Sequence, residues 1–175
     1  MTVSDKDIIE MMRSDAEKGF RLLMARYKEP IYWHIRRLIV SHDETQDVAQ
    51  ETFIRIFRSF DKNAEYSSFK GWIYRIATNE ALRHIERRKE SSYSLEQVFT
   101  LQSDTYIDYS DVEAVKLQKA ILSLPPKQQL AFNLRYYDEM DYDEIAVIAE
   151  STAANVKANY HLAKERIINY MNSND

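Results

Sequence analysis

Two helix-start signals only eleven residues apart, at Asp141 and Thr152, constrain the fold more tightly than anything else in this chain. Asp141-Tyr142-Asp143-Glu144 reads as a capping box, with Asp141 as N-cap and Glu144 reaching back from the third helical position. Ile145, Ala146, Ile148 and Ala149 follow, enough apolar residues for two helical turns. Thr152 then reads as a second N-cap. Val156, Tyr160, Ala163, Ile167 and Met171 recur at spacings of four, three, four and four, the buried stripe of a longer helix. The opposite face carries Lys157, Asn159, His161 and Lys164. Helices this close fit either a helix-turn-helix, whose second helix enters a DNA major groove, or an ordinary αα-hairpin.

Glycine is nearly absent from the 175 residues, with only Gly19 and Gly71, and there are three prolines. Sheets need turns, and turns draw on glycine and proline, so the chain is expected to be all-α. It has no cysteine, which excludes disulfides and thiolate metal sites and fits a cytoplasmic location. No apolar run approaches the roughly 20 residues of a membrane span. The N-terminus lacks the basic-then-apolar order of a signal peptide. The expectation is a soluble protein without membrane insertion.

The net charge of −4 is unevenly spread. The balance is −2 over 1–19, +4 over 20–90, −4 over 91–112 and −2 over 113–175, and the basic block peaks at Arg83, Arg87, Arg88 and Lys89. Phosphate neutralisation supplies most non-specific DNA affinity, so an acidic chain binds DNA weakly unless a larger machine holds it there.

Two small helical domains are predicted, 1–90 and 112–175, joined by a flexible acidic linker over 91–111. The linker alternates serine and acids with scattered apolar residues and lacks helical periodicity; it reads either as a plain solvated tether or as a segment drawn to basic surfaces. Before it, Ser4 and Asp7 make a capping box for a short first helix. A second helix runs from about Ala16 to Val40 with Phe20, Leu23, Met24, Tyr27, Ile31, Ile35, Leu38 and Ile39 inward, and Pro30 is expected to kink or divide it. A third begins at Asp43, with Gln46 at the capping-box position, and runs through Val48, Thr52, Phe53, Ile56 and Phe57. A fourth starts near Ser67 or Ser68 and reaches about Lys89. After the linker, Ser110 and Glu113 form another capping box, and Pro126 suits the first turn of a helix ending near Tyr136.

Catalytic constellations are poor. His34, His42, His84 and His161 are scattered. The pairs Glu80 with His84 and His161 with Glu165 belong to no metal-binding set and read as solvated helix-face residues. No phosphate loop or nucleophile elbow is present, so no enzyme, cofactor or metal is expected.

Two other segments are informative. Asp47, Gln50, Glu51 and Ile54, three or four apart, share a face opposite Val48, Thr52 and Ile56. Two carboxylates and an amide suit a basic partner helix, whereas helix-dipole complementation explains Asp43 and Glu44 but not Glu51. From Phe60 to Asn79 a polar loop feeds an aromatic-rich helix followed by basic residues, a mixture that suits single-stranded DNA with stacked or flipped bases. Trp72 and Ile76 read as core; Tyr66, Lys70 and Asn79 read as functional.

In this order the segments resemble the extracytoplasmic-function (ECF) group of bacterial RNA polymerase sigma factors, over nearly the whole chain. Asp47 to Phe53 looks like the family helix that docks on the polymerase clamp. Phe69 to Asn79, with Trp-Ile-Tyr-Arg-Ile-Ala-Thr-Asn, looks like its promoter-melting and −10 segment. Leu124-Pro125-Pro126-Lys127-Gln128-Gln129 and Glu144-Ile145-Ala146 open a −35-reading domain ending in Val156-Lys157. The resemblance implies a non-catalytic factor that binds core RNA polymerase, promoter DNA and an anti-sigma factor. It places polymerase contacts at Asp47, Gln50, Glu51 and Ile54. Contacts to the −10 element fall at Asp61, Lys62, Asn63, Tyr66, Ser67, Lys70, Asn79 and Arg83. Contacts to the −35 element fall at Thr152, Ala154, Asn155, Lys157, Ala158, His161 and Lys164. The chain departs from the family pattern at Glu150, where glycine is frequent, at Ser151, and at Gln129 and Asn159, where arginine is frequent. A non-glycine residue in a left-handed turn costs about 1 kcal/mol or more, so a turn of altered shape is expected at Glu150. The competing readings are a freestanding helix-turn-helix regulator, which would need a dimer interface for which the sequence offers no long heptad seam, and a purely protein-binding scaffold.

Overall fold

The computed structural model describes residues 2–90 and 110–173. The described residues form eight helices and no strand: α1 (Asp5–Ser14), α2 (Ala16–Ile39), α3 (His42–Ser59), α4 (Phe69–Glu90), α5 (Val112–Leu122), α6 (Pro126–Tyr136), α7 (Tyr142–Ala149) and α8 (Ala153–Met171). The chain divides into two compact units, Met1–Leu101 and Gln102–Asp175. The linker predicted over 91–111 lies, apart from Ser110 and Asp111, outside the described residues.

In the first unit the expected box forms at Ser4: its hydroxyl accepts the Asp7 N–H at 3.2 Å, and the Asp7 carboxylate takes the Ser4 N–H at 3.0 Å. Asp15 alone joins α1 to α2, serving as C-cap of one and N-cap of the other. So tight a corner brings Gly19 against Met12, where an added Cβ would lie 2.4 Å from the Met12 nitrogen. Pro30 does not divide α2, which is helical from Ala16 to Ile39. Pro30 and Arg26 are both exposed, so the Arg26 carbonyl that proline leaves without its helical donor faces water. Ile8, Leu23, Ile31, Ile35, Ile39, Ile56, Ile73 and Ala77 make the core from all four helices.

The third helix starts two residues earlier than its sequence signal, because Ser41 is the N-cap and accepts the Glu44 N–H. Asp43 is instead a first-turn acid. Glu44 reaches α4, at 3.2 Å from His84 Nε2 and 3.2 Å from Arg88 Nη2. Ser68 caps α4 by accepting the Gly71 N–H at 3.0 Å. His34 is fully buried, and its Nε2 lies 2.8 Å from Thr78 Oγ1. Because the Thr78 hydroxyl already donates to the Tyr74 carbonyl, the imidazole must donate, which fixes the Nε2–H tautomer.

In the second unit the cap of α5 is Asp111 rather than Ser110, accepting the Ala114 N–H at 3.1 Å. Pro126 opens α6 as expected. Ala120, Ile121, Leu124, Phe132, Ala163 and Ile167 form the core, with Tyr160 and Met171 packed against it, so the predicted inner stripe of α8 is inward. Asp141 and Thr152 cap α7 and α8. Between them Glu150 adopts φ 53 and ψ 48. Its N–H and that of Ser151 both close on the Ala146 carbonyl. The turn is therefore left-handed despite the missing glycine, and the altered shape expected there does not occur.

Candidate functional site

Asp47, Gln50 and Glu51 stand exposed along the outer face of α3, and Ile54 is half-buried beside them. The face opposite holds Val48, Thr52, Phe53 and Ile56. A feature that the sequence pattern assigned to the core adjoins this face. Phe57 is 47% exposed and meets Phe20 of α2 edge-on at 5.1 Å. Together with Met24, Phe53 and Ile54 these rings line an open groove between α2 and α3 of about 1480 Å³. That exceeds the ~300–1,000 Å³ of a small-molecule site and suits the side chains of a partner helix. Asp47 and Gln50 stand on its rim, as do Lys28 and Arg58. The available signal was excess: α3 carries apolar residues at 48, 53, 54, 56 and 57, more than one buried face uses.

The loop between α3 and α4 is folded rather than loose. The Asp61 N–H donates to the Tyr66 hydroxyl at 3.0 Å, and the Asn63 N–H donates to the Asp61 carboxylate at 2.9 Å. Tyr66 stacks on Phe60 at 5.6 Å with ring planes 9° apart, and it packs on Trp72 at 4.9 Å. Its ring therefore shapes the loop. Asp61, Lys62, Asn63 and Ser67 display their side chains to solvent, and Lys70 is half-buried one helical turn on. Trp72 and Ile76 are half-buried, and the deep core positions of α4 are Ile73, Tyr74, Ala77, Thr78 and Ala81. Asn79 is exposed. Arg83 is 45% exposed and donates to Glu80 at 2.7 Å. Glu80 also pairs with Arg55 of α3. Glu80 is thus buried between two guanidiniums, and His84 faces Glu44, so neither is the solvated helix-face residue expected of that pair. Arg88, from the basic peak, is likewise drawn inward and donates to the Ile39 carbonyl at 2.9 Å.

In the second unit Ala154, Asn155, Lys157, Ala158 and His161 form an exposed arc on the first turns of α8, beginning at the Thr152 cap. The Asn155 N–H donates to the Thr152 hydroxyl at 3.1 Å, and Asn155 itself is exposed. Lys164 sits 5.6 Å over the Tyr160 ring with its ammonium at the surface. No helix among the described residues is long and apolar enough to cross a membrane, and no three His, Asp or Glu side chains among them are grouped to hold a metal ion.

This arrangement, a four-helix unit with a preshaped loop and a second unit carrying a helix-turn-helix, is matched by known proteins along its length. Sigma-70 region 2 matches residues 23–91 and sigma-70 region 4 matches residues 114–167, together more than two thirds of the chain. The RNA polymerase sigma-H factor of Pseudomonas aeruginosa is 28% identical over 176 residues, covering 93% of this chain and 91% of that protein. The ECF RNA polymerase sigma-E factor of Escherichia coli K12 is 29% identical over 184 residues, covering 95% and 94%. Among solved structures, CnrH in complex with the cytosolic domain of CnrY aligns with a TM-score of 0.73 at 17% identity, over 98% of this chain and 99% of that one. The sigma factor RpoE of Bartonella quintana, solved with the anti-sigma factor NepR, aligns at 0.68 and 18% identity, over 90% and 99%. The chain belongs to the ECF group of the sigma-70 family of RNA polymerase sigma factors. It is an alternative sigma factor, which directs transcription initiation and is not an enzyme.

Proposed function

We propose that the first unit, centred on residues 1–90, docks on core RNA polymerase through α3 and reads the −10 element through the 61–68 loop, while residues 112–175 read the −35 element through α8. The protein works in the cytoplasm, where its polymerase is. The observation that carries this reading is the division of the first unit into two unlike surfaces. One is the outer face of α3, with exposed Asp47, Gln50 and Glu51 beside an apolar groove. Carboxylates around an apolar seat fit a basic amphipathic helix, as the polymerase clamp would offer. The other is a prefolded loop whose exposed Asp61, Lys62, Asn63 and Ser67 offer donors and acceptors to an unpaired base. Lys70, Asn79 and Arg83 of α4 add further contacts to that DNA, and Tyr66 supports the loop. On α8, Ala154 and Ala158 permit close approach to base edges, Asn155 and His161 supply polar contacts, and Lys157 and Lys164 reach phosphates, with Thr152 setting the start of the helix. An anti-sigma factor is a further partner, and the α2–α3 groove gives its helix a seat.

Purified core RNA polymerase is the decisive reagent. The chain should co-purify with it and confer transcription that depends on both promoter elements. Exchanging residues 61–68 should change the preferred base at one −10 position without abolishing core binding. A chain that binds DNA as a dimer and ignores core polymerase would instead be a freestanding regulator.

A further inference from the structure

The 61–68 loop contains no glycine or proline to fix its path, so its shape comes from bonds made to it. Three are internal: the Tyr66 hydroxyl under the Asp61 N–H, the Asp61 carboxylate under the Asn63 N–H, and the Asp61 carbonyl, which accepts the Ala64 N–H at 3.2 Å. A fourth comes from another helix and is the bond that holds the Ala64 carbonyl. Arg13, in the last turn of α1, donates from Nη2 to the Ala64 carbonyl at 2.8 Å, across 51 residues of sequence. Asn63, whose amide carries both a donor and an acceptor, is thereby held between a backbone N–H fixed on one side and a carbonyl fixed on the other.

We propose that Arg13 is a positioning residue for −10 base selection: by holding the Ala64 carbonyl it sets where Asn63 presents its amide to the base. The inference rests on the loop being the base-reading element, as argued above. Recognition of a base edge needs polar atoms placed to within roughly 0.5 Å, which a polar loop reaches only when its backbone is tied at more than one point. The bond is not needed to hold α1 in place. Ile8 and Met12 anchor that helix in the core, and Tyr27 bonds Asp5 at 2.7 Å, whereas Arg13 lies at the surface. Its removal should loosen the loop while leaving the fold as it is.

The test uses the full chain with core RNA polymerase on promoters carrying each base at each −10 position. Arg13→Ala should lower the ratio of preferred to disfavoured base at one position about fivefold, the factor carried by one net hydrogen bond. Core binding and the urea unfolding midpoint should stay unchanged, and Arg13→Lys, which keeps a donor, should restore most of the ratio. Asn63→Ala tests the loop reading separately, and the double variant should lose no more than Asn63→Ala alone, because both act through one contact. If Asn63→Ala lowers the ratio and Arg13→Ala does not, the role of Arg13 is overturned and the loop reading stands. If neither moves it, the loop reading falls and the inference with it. A lowered ratio accompanied by a lowered unfolding midpoint, without rescue by lysine, would make Arg13 a stability residue and overturn the proposal.

Discussion

His34 and Gly19 show how much single side chains, or their absence, decide in the first unit. Burial, with a smaller contribution from the nearby Arg37 charge, pushes the His34 imidazole down to about 3. Protonation would also place an N–H at Nδ1, which is buried without a hydrogen-bond partner among the described residues. The folded state therefore binds fewer protons than the unfolded chain between about pH 6.5 and 3, and stability falls as pH drops through that window. Unfolding in urea at pH 7.5 and at pH 5.5 should show a loss of about 1 kcal/mol in the parent chain. His34→Gln, which keeps a donor for Thr78, should show a clearly smaller loss; equal losses would mean that other groups carry the dependence. Gly19 poses the opposite problem. Alanine gains about 1 kcal/mol of helix propensity over glycine. The new Cβ, however, would sit 2.5 Å from the Met12 Cα, a backbone atom that cannot swing aside. Overpacking of this kind costs about 1–3 kcal/mol, and a backbone clash lies at the upper end, so Gly19→Ala should lower thermal stability. A raised melting temperature would show that α1 shifts freely on α2.

At the scale of elements, the helix-turn-helix is held in shape by local devices. Two caps and the left-handed Glu150 turn set the angle at which α8 leaves α7. Val156 and Ala163, only 2% and 0% exposed, fix its rotation, which leaves the 154–161 arc outward. In the proposed reading that arc mixes two kinds of contact, and salt separates them. Lys157→Ala should weaken binding to all −35 sequences and reduce the slope of log affinity against log salt by about one. Asn155→Ala should leave the slope unchanged and relax preference at one base position. Salt-titrated binding of holoenzyme to −35 variants reads both. If neither substitution has any effect, α8 is structural and the contacts lie elsewhere.

The whole molecule must rely on its polymerase to stay on DNA. Its net charge is −4, and several cations of the 20–90 block are engaged within the fold, since Arg55, Arg83 and Arg88 pair with Glu80 and Glu44. Phosphate attraction alone is therefore weak, and the docking proposed through α3 would be the step on which promoter binding depends. Glu51 is exposed and lacks an ion-pair partner among the described residues, so reversing its charge should not disturb the fold. Against a basic partner helix, Glu51→Lys should cost on the order of several kcal/mol of binding. The variant should keep the parent circular dichroism spectrum and fail to co-purify with core polymerase. Undiminished co-purification would move the docking surface away from this face of α3.

The sequence by itself determined the class of fold and most helix boundaries. Ser4, Pro126, Asp141 and Thr152 act on backbone groups within a few residues, and apolar spacing within one helix selects its inner face, so both are legible locally. Where two capping residues compete, local signals tie. Ser41 won over Asp43, and the resulting start lets Glu44 meet His84 and Arg88 of α4, contacts no window around Ser41 contains. Only the tertiary structure placed Phe20 against Phe57 at a surface groove, buried Glu80 between Arg55 and Arg83, and carried Arg13 to the loop. The last contact spans 51 residues, and the bond that fixes the His34 tautomer spans 44. Which side chains meet across such separations depends on how whole helices pack, and apolar periodicity states only that a face is buried, not what lies opposite it.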